Sequence, residues 1–181
     1  GRGCIAGPVV ASAVIIPKGC HIEGVMDSKK ISDKKRRILK EQIEAKAIAY
    51  ATVFVSEKKI DEINILNASK MAMEKAIQSL SVKPDFVLID AVKLNLDIPS
   101  ESIIKGDDLC FAISCASILA KVTRDDFMIN LDREFPDYGF AQNKGYPTKK
   151  HLNALNNEGI LDIHRKSYAP VQRIAAIHLK K

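Results

Sequence analysis

What this chain lacks narrows its nature before any motif is considered. Its four cysteines, Cys4, Cys20, Cys110 and Cys115, contain no C-x-x-C pair and no spacing with matching histidines. A zinc site and a disulfide framework are therefore both poorly supported, and a reducing cytoplasm fits best. The longest apolar run, Cys4 to Pro17, is too short for the ~20 residues of a membrane-spanning helix. It also has neither the basic lead nor the cleavage-site pattern of a signal peptide. No internal repeat, low-complexity stretch or linker breaks the sequence, so one domain is expected over residues 1–181, with a sheet-and-helix core to about residue 140 and a C-terminal helical region from about 141. The 181 residues, 46% of them hydrophobic, suffice for a substantial core. A formal charge of +6 points to an acidic partner, nucleic acid first, although lysines on helix faces and in the tail Lys180-Lys181 read as solvated.

Apolar periodicity and turn residues predict alternating strands and helices. Ala6 to Pro17 is rich in Val and Ile and reads as a buried strand. Ser32 is the candidate N-cap of a helix over Asp33 to Lys46, with Ile38, Leu39 and Ile43 as its apolar face. A strand over Ile48 to Ser56 follows, then a helix over Ile60 to Leu80 whose face would carry Ile63, Leu66, Met73, Ile77 and Leu80. Short strands are predicted over Phe86 to Ile89, ending at Asp90, and over Ser102 to Lys105. A long helix spans Phe111 to Leu131, a further one lies near Thr148 to Asn156, and a last one follows Pro170. The alternation predicts a layered α/β fold.

Two carboxylates stand out. Asp90 ends an apolar strand and Asp107 follows a glycine just past the next, which projects both from strand ends, where α/β sheets place their sites. Such a pair suits a hard divalent cation, and two ions ~4 Å apart can clamp the attacking and leaving oxygens of a phosphodiester. Taken singly, either aspartate is more often a turn residue or a helix cap than a metal ligand. Basic residues accompany them in sequence: Arg2, Lys29, Lys30, Lys105, Lys121, Arg124, Lys144, His164, Arg165 and Lys166. Those in turns punctuated by glycine, serine or proline are placed to meet phosphates with little motion. Gly1-Arg2-Gly3 opens directly into an apolar run, and such a turn lets backbone N–H groups approach a phosphate or sugar. Tyr168, between cations and Pro170, suits stacking on a sugar or base, or anchoring the last helix.

The blocks GRGCIAGPVVASAVI, DSKKISDKKR, DEINILNASKMAM, VLIDA, IIKGDD, ISCASILAKVTRD, PDYGFAQNKGYPTKKHL and HRKSYAPV occur in that order from end to end. Together they resemble the signature blocks of bacterial ribonuclease HII. The resemblance implies a ribonuclease H-like fold, a mixed central sheet flanked by helices with a C-terminal helical region. It implies hydrolysis of the RNA strand of RNA–DNA hybrids, and of duplex DNA on the 5′ side of a single embedded ribonucleotide, leaving 3′-hydroxyl and 5′-phosphate with two Mn2+ or Mg2+ ions. The implied protein is a monomer with no membrane partner.

Carried over residue by residue, Asp90 matches the third metal-binding carboxylate and Asp107 the fourth. Gly1, Arg2 and Gly3 match the turn that reads the ribose 2′-hydroxyl. Tyr168 matches the tyrosine that stacks on the deoxyribose just past the junction, where a second ribose would fit less well. Lys29 and Lys30 resemble phosphate-contacting lysines, while Ser114, Ser117 and Lys121 sit in the helix block expected to support the site and track the backbone. Asp125 and Asp126 are read as structural or electrostatic. The pattern departs at Cys115, at Ala91 and at Asp108-Leu109-Cys110, none of which removes a proposed ligand. In the family an Asp-Glu-Ala tripeptide precedes Gly-Arg-Gly and supplies the other two carboxylates. The expectation is therefore an omitted N-terminal segment and a chain that is inactive or nearly so as it stands. Two rivals remain: a catalytically inactive RNA–DNA hybrid-binding fragment, and a basic interaction domain whose aspartates are turn residues.

Overall fold

The computed structural model describes residues 1–178; the tail Lys180-Lys181 lies outside them. The chain divides into two compact units. The first contains Gly1–Val9, Val55–Ala68 and Arg124–Lys181, and the second Val10–Phe54 and Ser69–Thr123. The elements are β1 (Val9–Ile15), α1 (Asp33–Lys46), β2 (Ala49–Val55), α2 (Glu57–Gln78), β3 (Val87–Asp90), β4 (Ser100–Ile103), α3 (Gly106–Leu109), α4 (Phe111–Glu134), α5 (Phe140–Asn143), α6 (Lys149–Glu158) and α7 (Ala169–His178). The α/β class is as expected, and among the described residues the strands pair two by two, β1 with β2 and β3 with β4. No helix among the described residues is long and apolar enough to cross a membrane.

In the second unit, Ile48 N–H donates to the Ile15 carbonyl at 2.8 Å and the Ser12 and Thr52 hydroxyls lie 2.7 Å apart. These pairings run in opposite sense, so β1 and β2 are antiparallel. The β3–β4 pair is parallel, with Asp90 opposite Ile103. Helix α1 starts as predicted, the Ser32 hydroxyl accepting the Lys35 N–H at 3.3 Å. Leu39 and Ile43 enter a core of Ile22, Ile31, Cys115, Ile118, Leu119 and Val122. Ile38, expected on that face, is 48% exposed, because it stands about 100° around the helix from Leu39. Burial pushes the Cys115 thiol up to about 12, so it behaves as a small apolar side chain.

Two expectations need correction. The strand predicted over Ala6 to Pro17 begins only at Val9. Gly7 adopts φ +81° and Pro8 has no N–H to pair, so the ladder cannot form there, and Ala6 makes an isolated antiparallel bridge to His164. The helix predicted from Ile60 to Leu80 begins at Glu57 and is broken at Asn64, where φ is 66° and ψ 165°. The Asn64 side chain accepts the Asn67 N–H at 3.0 Å, a cap for the second half. The break shifts the helical phase: Leu66 is exposed, and the fully buried positions are Ile60, Ala68, Ala72 and Ala76. In the first unit, Ile5, Ala6, Met128, Tyr138, Phe140, Ala154, Leu155, Val171 and Ile174 form the core.

Candidate functional site

The sequence-selected residues fall into two clusters, one in each unit. In the second unit, parallel pairing of β3 and β4 brings the turn after β4 beside the end of β3. Asp90, half-buried, accepts the Gly106 N–H through Oδ1 at 3.0 Å. Lys105 turns the chain with φ 57°, and Asp107 and Asp108 occupy the first turn of α3. Asp90 is thereby hydrogen-bonded to the residue immediately before Asp107. From α4, the buried Ser114 hydroxyl donates to the Asp107 carbonyl at 2.8 Å and lies 3.0 Å from that of Cys110, pinning α3 to the start of the long helix.

The Asp27–Lys30 turn meets the same carboxylates. Asp27 Oδ1 accepts the Lys29 N–H at 3.0 Å, and the Ser28 and Ser117 hydroxyls lie 3.0 Å apart. Arg36 Nη1 donates to the Ser28 carbonyl at 2.8 Å. The turn is thus tied to both α4 and α1. It delivers Lys29 Nζ to 3.3 Å from Asp107 Oδ2 and Lys30 Nζ to 2.7 Å from Asp108. Burial by itself lowers the Lys29 pKa; the hydrogen bond and charge of Asp107, with Asp27 and Asp90, outweigh it and hold the group above its ordinary value. Asp108 raises Lys30 similarly. Lys121 is half-buried one turn beyond Ser117 on α4.

The first unit holds Gly1, Arg2, Gly3 and Tyr168. The organising residue is Arg165, fully buried, which sequence reasoning grouped with the phosphate-binding cations. Its Nε donates to the Gly7 carbonyl at 2.9 Å. Nη1 donates to the Arg2 carbonyl and the Tyr168 hydroxyl, both at 3.0 Å, and Nη2 to the carbonyls of Gly1 at 2.8 Å and Pro8 at 3.2 Å. Tyr168 in turn donates its hydroxyl to the Arg2 carbonyl at 2.8 Å, and the guanidinium carbon lies 5.3 Å from the centre of its ring. Arg124, 3% exposed, donates to the carbonyls of Pro8, Lys144 and Ala6 at 3.0, 2.7 and 3.0 Å. Both arginines are spent on acceptors within the protein, almost all of them backbone carbonyls, and do not serve as phosphate ligands. A buried cation needs this many acceptors to replace its hydration.

His164, also on that list, is fully buried. Leu161 N–H donates to its Nδ1 at 3.0 Å, which places its proton on Nε2, 3.0 Å from His151 Nε2. His151 then donates from Nδ1 to the Tyr146 carbonyl at 2.9 Å. Burial, together with His151, pushes the His164 pKa down to about 4, and burial lowers His151 as well. Lys144 donates to the Ala141 carbonyl, and Lys166 pairs with Asp162 at 3.0 Å. Arg2 is exposed. Asp125, 2% exposed, and the half-buried Asp126 belong to the first unit.

A family model described as Ribonuclease HII matches residues 1–171. Ribonuclease HII of Bacillus cereus (strain AH820) is 53% identical over 172 residues, 95% of this chain and 67% of that protein. Ribonuclease HII of Desulfitobacterium hafniense is 51% identical over 174 residues, 96% of this chain and 67% of its own. Among solved structures, ribonuclease H2 from Pyrococcus horikoshii OT3 superposes with TM-score 0.84 at 25% identity, covering 100% of this chain and 96% of that one. Bst-RNase HIII in complex with Mn2+ gives 0.67 at 15% identity, over 100% of this chain and 68% of the other, a likeness of fold alone.

Proposed function

This chain belongs to the ribonuclease HII family, and from that premise we propose the particular reaction it performs. It is a metal-dependent endoribonuclease acting on RNA–DNA hybrids; the proposal adds that it also cuts duplex DNA on the 5′ side of a single embedded ribonucleotide, leaving 3′-hydroxyl and 5′-phosphate. The observation that supports this most is the hydrogen bond from Gly106 to Asp90, which ties one carboxylate to the residue preceding the other. Lys29 on Asp107 marks the place as one that accepts a cation.

The donor set fits a hard divalent ion, Mn2+ or Mg2+: carboxylate oxygens, with no thiol or imidazole among them. Asp90 and Asp107 would hold it. When bound, a pair of such ions supplies an activated water for in-line attack and stabilises the departing 3′-oxygen. The chain's own residues do the rest. Lys29 and Lys30, fixed by the Asp27 turn, neutralise phosphate charge, and Ser114, Ser117 and Lys121 support the carboxylates and follow the backbone. Gly1, Arg2 and Gly3, whose first two carbonyls are turned onto Arg165, read the 2′-hydroxyl, and Tyr168 packs on the next sugar. The protein acts as a monomer in the cytoplasm, a compartment its four free thiols suit.

A second reading, hybrid binding without cleavage, is favoured by one fact. Among the described residues no three His, Cys, Asp or Glu side chains group closely enough to hold a metal ion. The two separate in a strand-cleavage assay on a DNA duplex carrying one ribonucleotide, with Mg2+ or Mn2+ and an all-DNA control. A single cut on the 5′ side supports the proposal; retained binding with no cut supports the second reading.

A further inference from the structure

The segment Asp61–Asn67 has no part in either cluster so far, although its sequence block is distinctive. Its geometry is specific. Asp61 lies in the first turns of α2, where the fully buried Ile60 anchors the helix, three residues before the break at Asn64. Its carboxylate accepts hydrogen bonds from the segment just before Tyr168. Oδ2 accepts the Lys166 N–H at 2.9 Å, and Oδ1 accepts both the Ser167 N–H at 2.8 Å and the Ser167 hydroxyl at 2.6 Å. One carboxylate thus takes three hydrogen bonds from the two residues immediately before Tyr168, across more than a hundred residues of sequence. The Tyr168 N–H donates to the Arg165 carbonyl at 3.0 Å, and its own carbonyl accepts from Val171 and Gln172 as α7 begins.

We infer that Asp61 is a positioning residue for Tyr168, and through it a determinant of the preference for a single ribonucleotide over a continuous RNA strand. The side chain of Tyr168 is fixed by Arg165 and the Arg2 carbonyl; Asp61 fixes the main chain that carries it. A charged acceptor aimed at successive backbone amides holds a turn in one conformation. A tyrosine that must lie flat on one sugar gains selectivity only while its backbone cannot yield. The Asn64 break stops the helix just past Asp61, and Asn64 caps the helix that resumes.

The inference rests on the proposed role of Tyr168, so the test measures both. In the full-length protein, the ratio of kcat/KM on a single-ribonucleotide duplex to that on a uniform RNA–DNA hybrid is compared for wild type, Y168A, D61A and the double variant. D61A should lower the ratio by about threefold or more, in the direction of Y168A, as expected when a charge-assisted contact that orients a binding group is lost. The double variant should be no lower than Y168A alone. S167A, which deletes one of the three bonds, should give a smaller shift of the same sign and serves where D61A fails to fold. An unchanged ratio in D61A, or in S167A if D61A is unfolded, overturns the inference, as does a double variant whose losses multiply. If Y168A itself leaves the ratio unchanged, the tyrosine's role fails and the inference with it.

Discussion

Replacing Arg165 with methionine keeps an unbranched apolar stem and removes only the guanidinium, so its cost can be worked through acceptor by acceptor. Five hydrogen bonds disappear, and their acceptors fare differently. The Pro8 carbonyl keeps Arg124 at 3.0 Å, and the Arg2 carbonyl keeps the Tyr168 hydroxyl. Gly1 is exposed, so water replaces its partner. Only the buried Gly7 carbonyl is left with no other partner among the described residues, a penalty of about 1–3 kcal/mol. Incomplete filling of the vacated space adds about 1–2 kcal/mol. The sum is roughly 3 kcal/mol, and a chain of this length loses ~2–4 °C in Tm per kcal/mol, which gives a drop of roughly 6–12 °C. Scanning calorimetry of wild type and R165M in metal-free buffer measures it. A drop under ~3 °C would refute the reasoning, because it would mean that water reaches the Gly7 carbonyl and that the clasp is not buried.

Three further outcomes follow from other contacts. The neutral His151–His164 pair makes stability acid-sensitive. The His164 pKa is about 4 when folded and its ordinary value is 6.5, so the unfolded chain binds more protons between these limits. The stabilisation is full above about pH 6.5, falls as pH drops towards 4 and amounts to on the order of 3 kcal/mol. The imidazole proton resonances of His164 should titrate with a midpoint near 4, and a midpoint near 6.5 for that ring would refute this. Asp90→Asn keeps an oxygen to accept the Gly106 N–H but loses the charge. Cleavage should fall by roughly a hundredfold or more with duplex affinity and Tm nearly unchanged, and full turnover would remove Asp90 from the catalytic residues. Gly145→Ala should destabilise by about 2 kcal/mol or more, read as a fall in the urea midpoint. Gly145 has φ +85° and an added Cβ would lie 2.5 Å from the Ala6 carbonyl oxygen, so an unchanged midpoint would contradict this packing.

Much of the fold was legible in one dimension because its causes are local. Ser32 followed by an apolar stripe specifies α1, and Thr148 in the same way specifies the start of α6, where it accepts the His151 N–H. The apolar run ending at Asp90 marks that carboxylate as a strand-end residue, whereas Asp107, also expected to project from a strand end, lies in the first turn of α3. The eight ordered blocks suffice to identify the family. The two misread element boundaries have separate causes. The break at Asn64 depends on a side chain capping its own backbone, which periodicity does not register, and the late start of β1 depends on a left-handed Gly7.

What the tertiary structure decided is which charged residues face water and which face the protein's own backbone. In sequence, Arg165 and Lys166 are neighbouring cations in one loop. In the fold, the first donates to a carbonyl 164 positions away and the second pairs at the surface with Asp162. Lys29 meets Asp107 across 78 residues, and Asp61 meets Ser167 across 106. Composition, capping and periodicity are properties of adjacent residues and can be read along the chain. The pairing of a buried charge with its acceptors is fixed only when the chain closes, because until then water satisfies every one of those groups equally well.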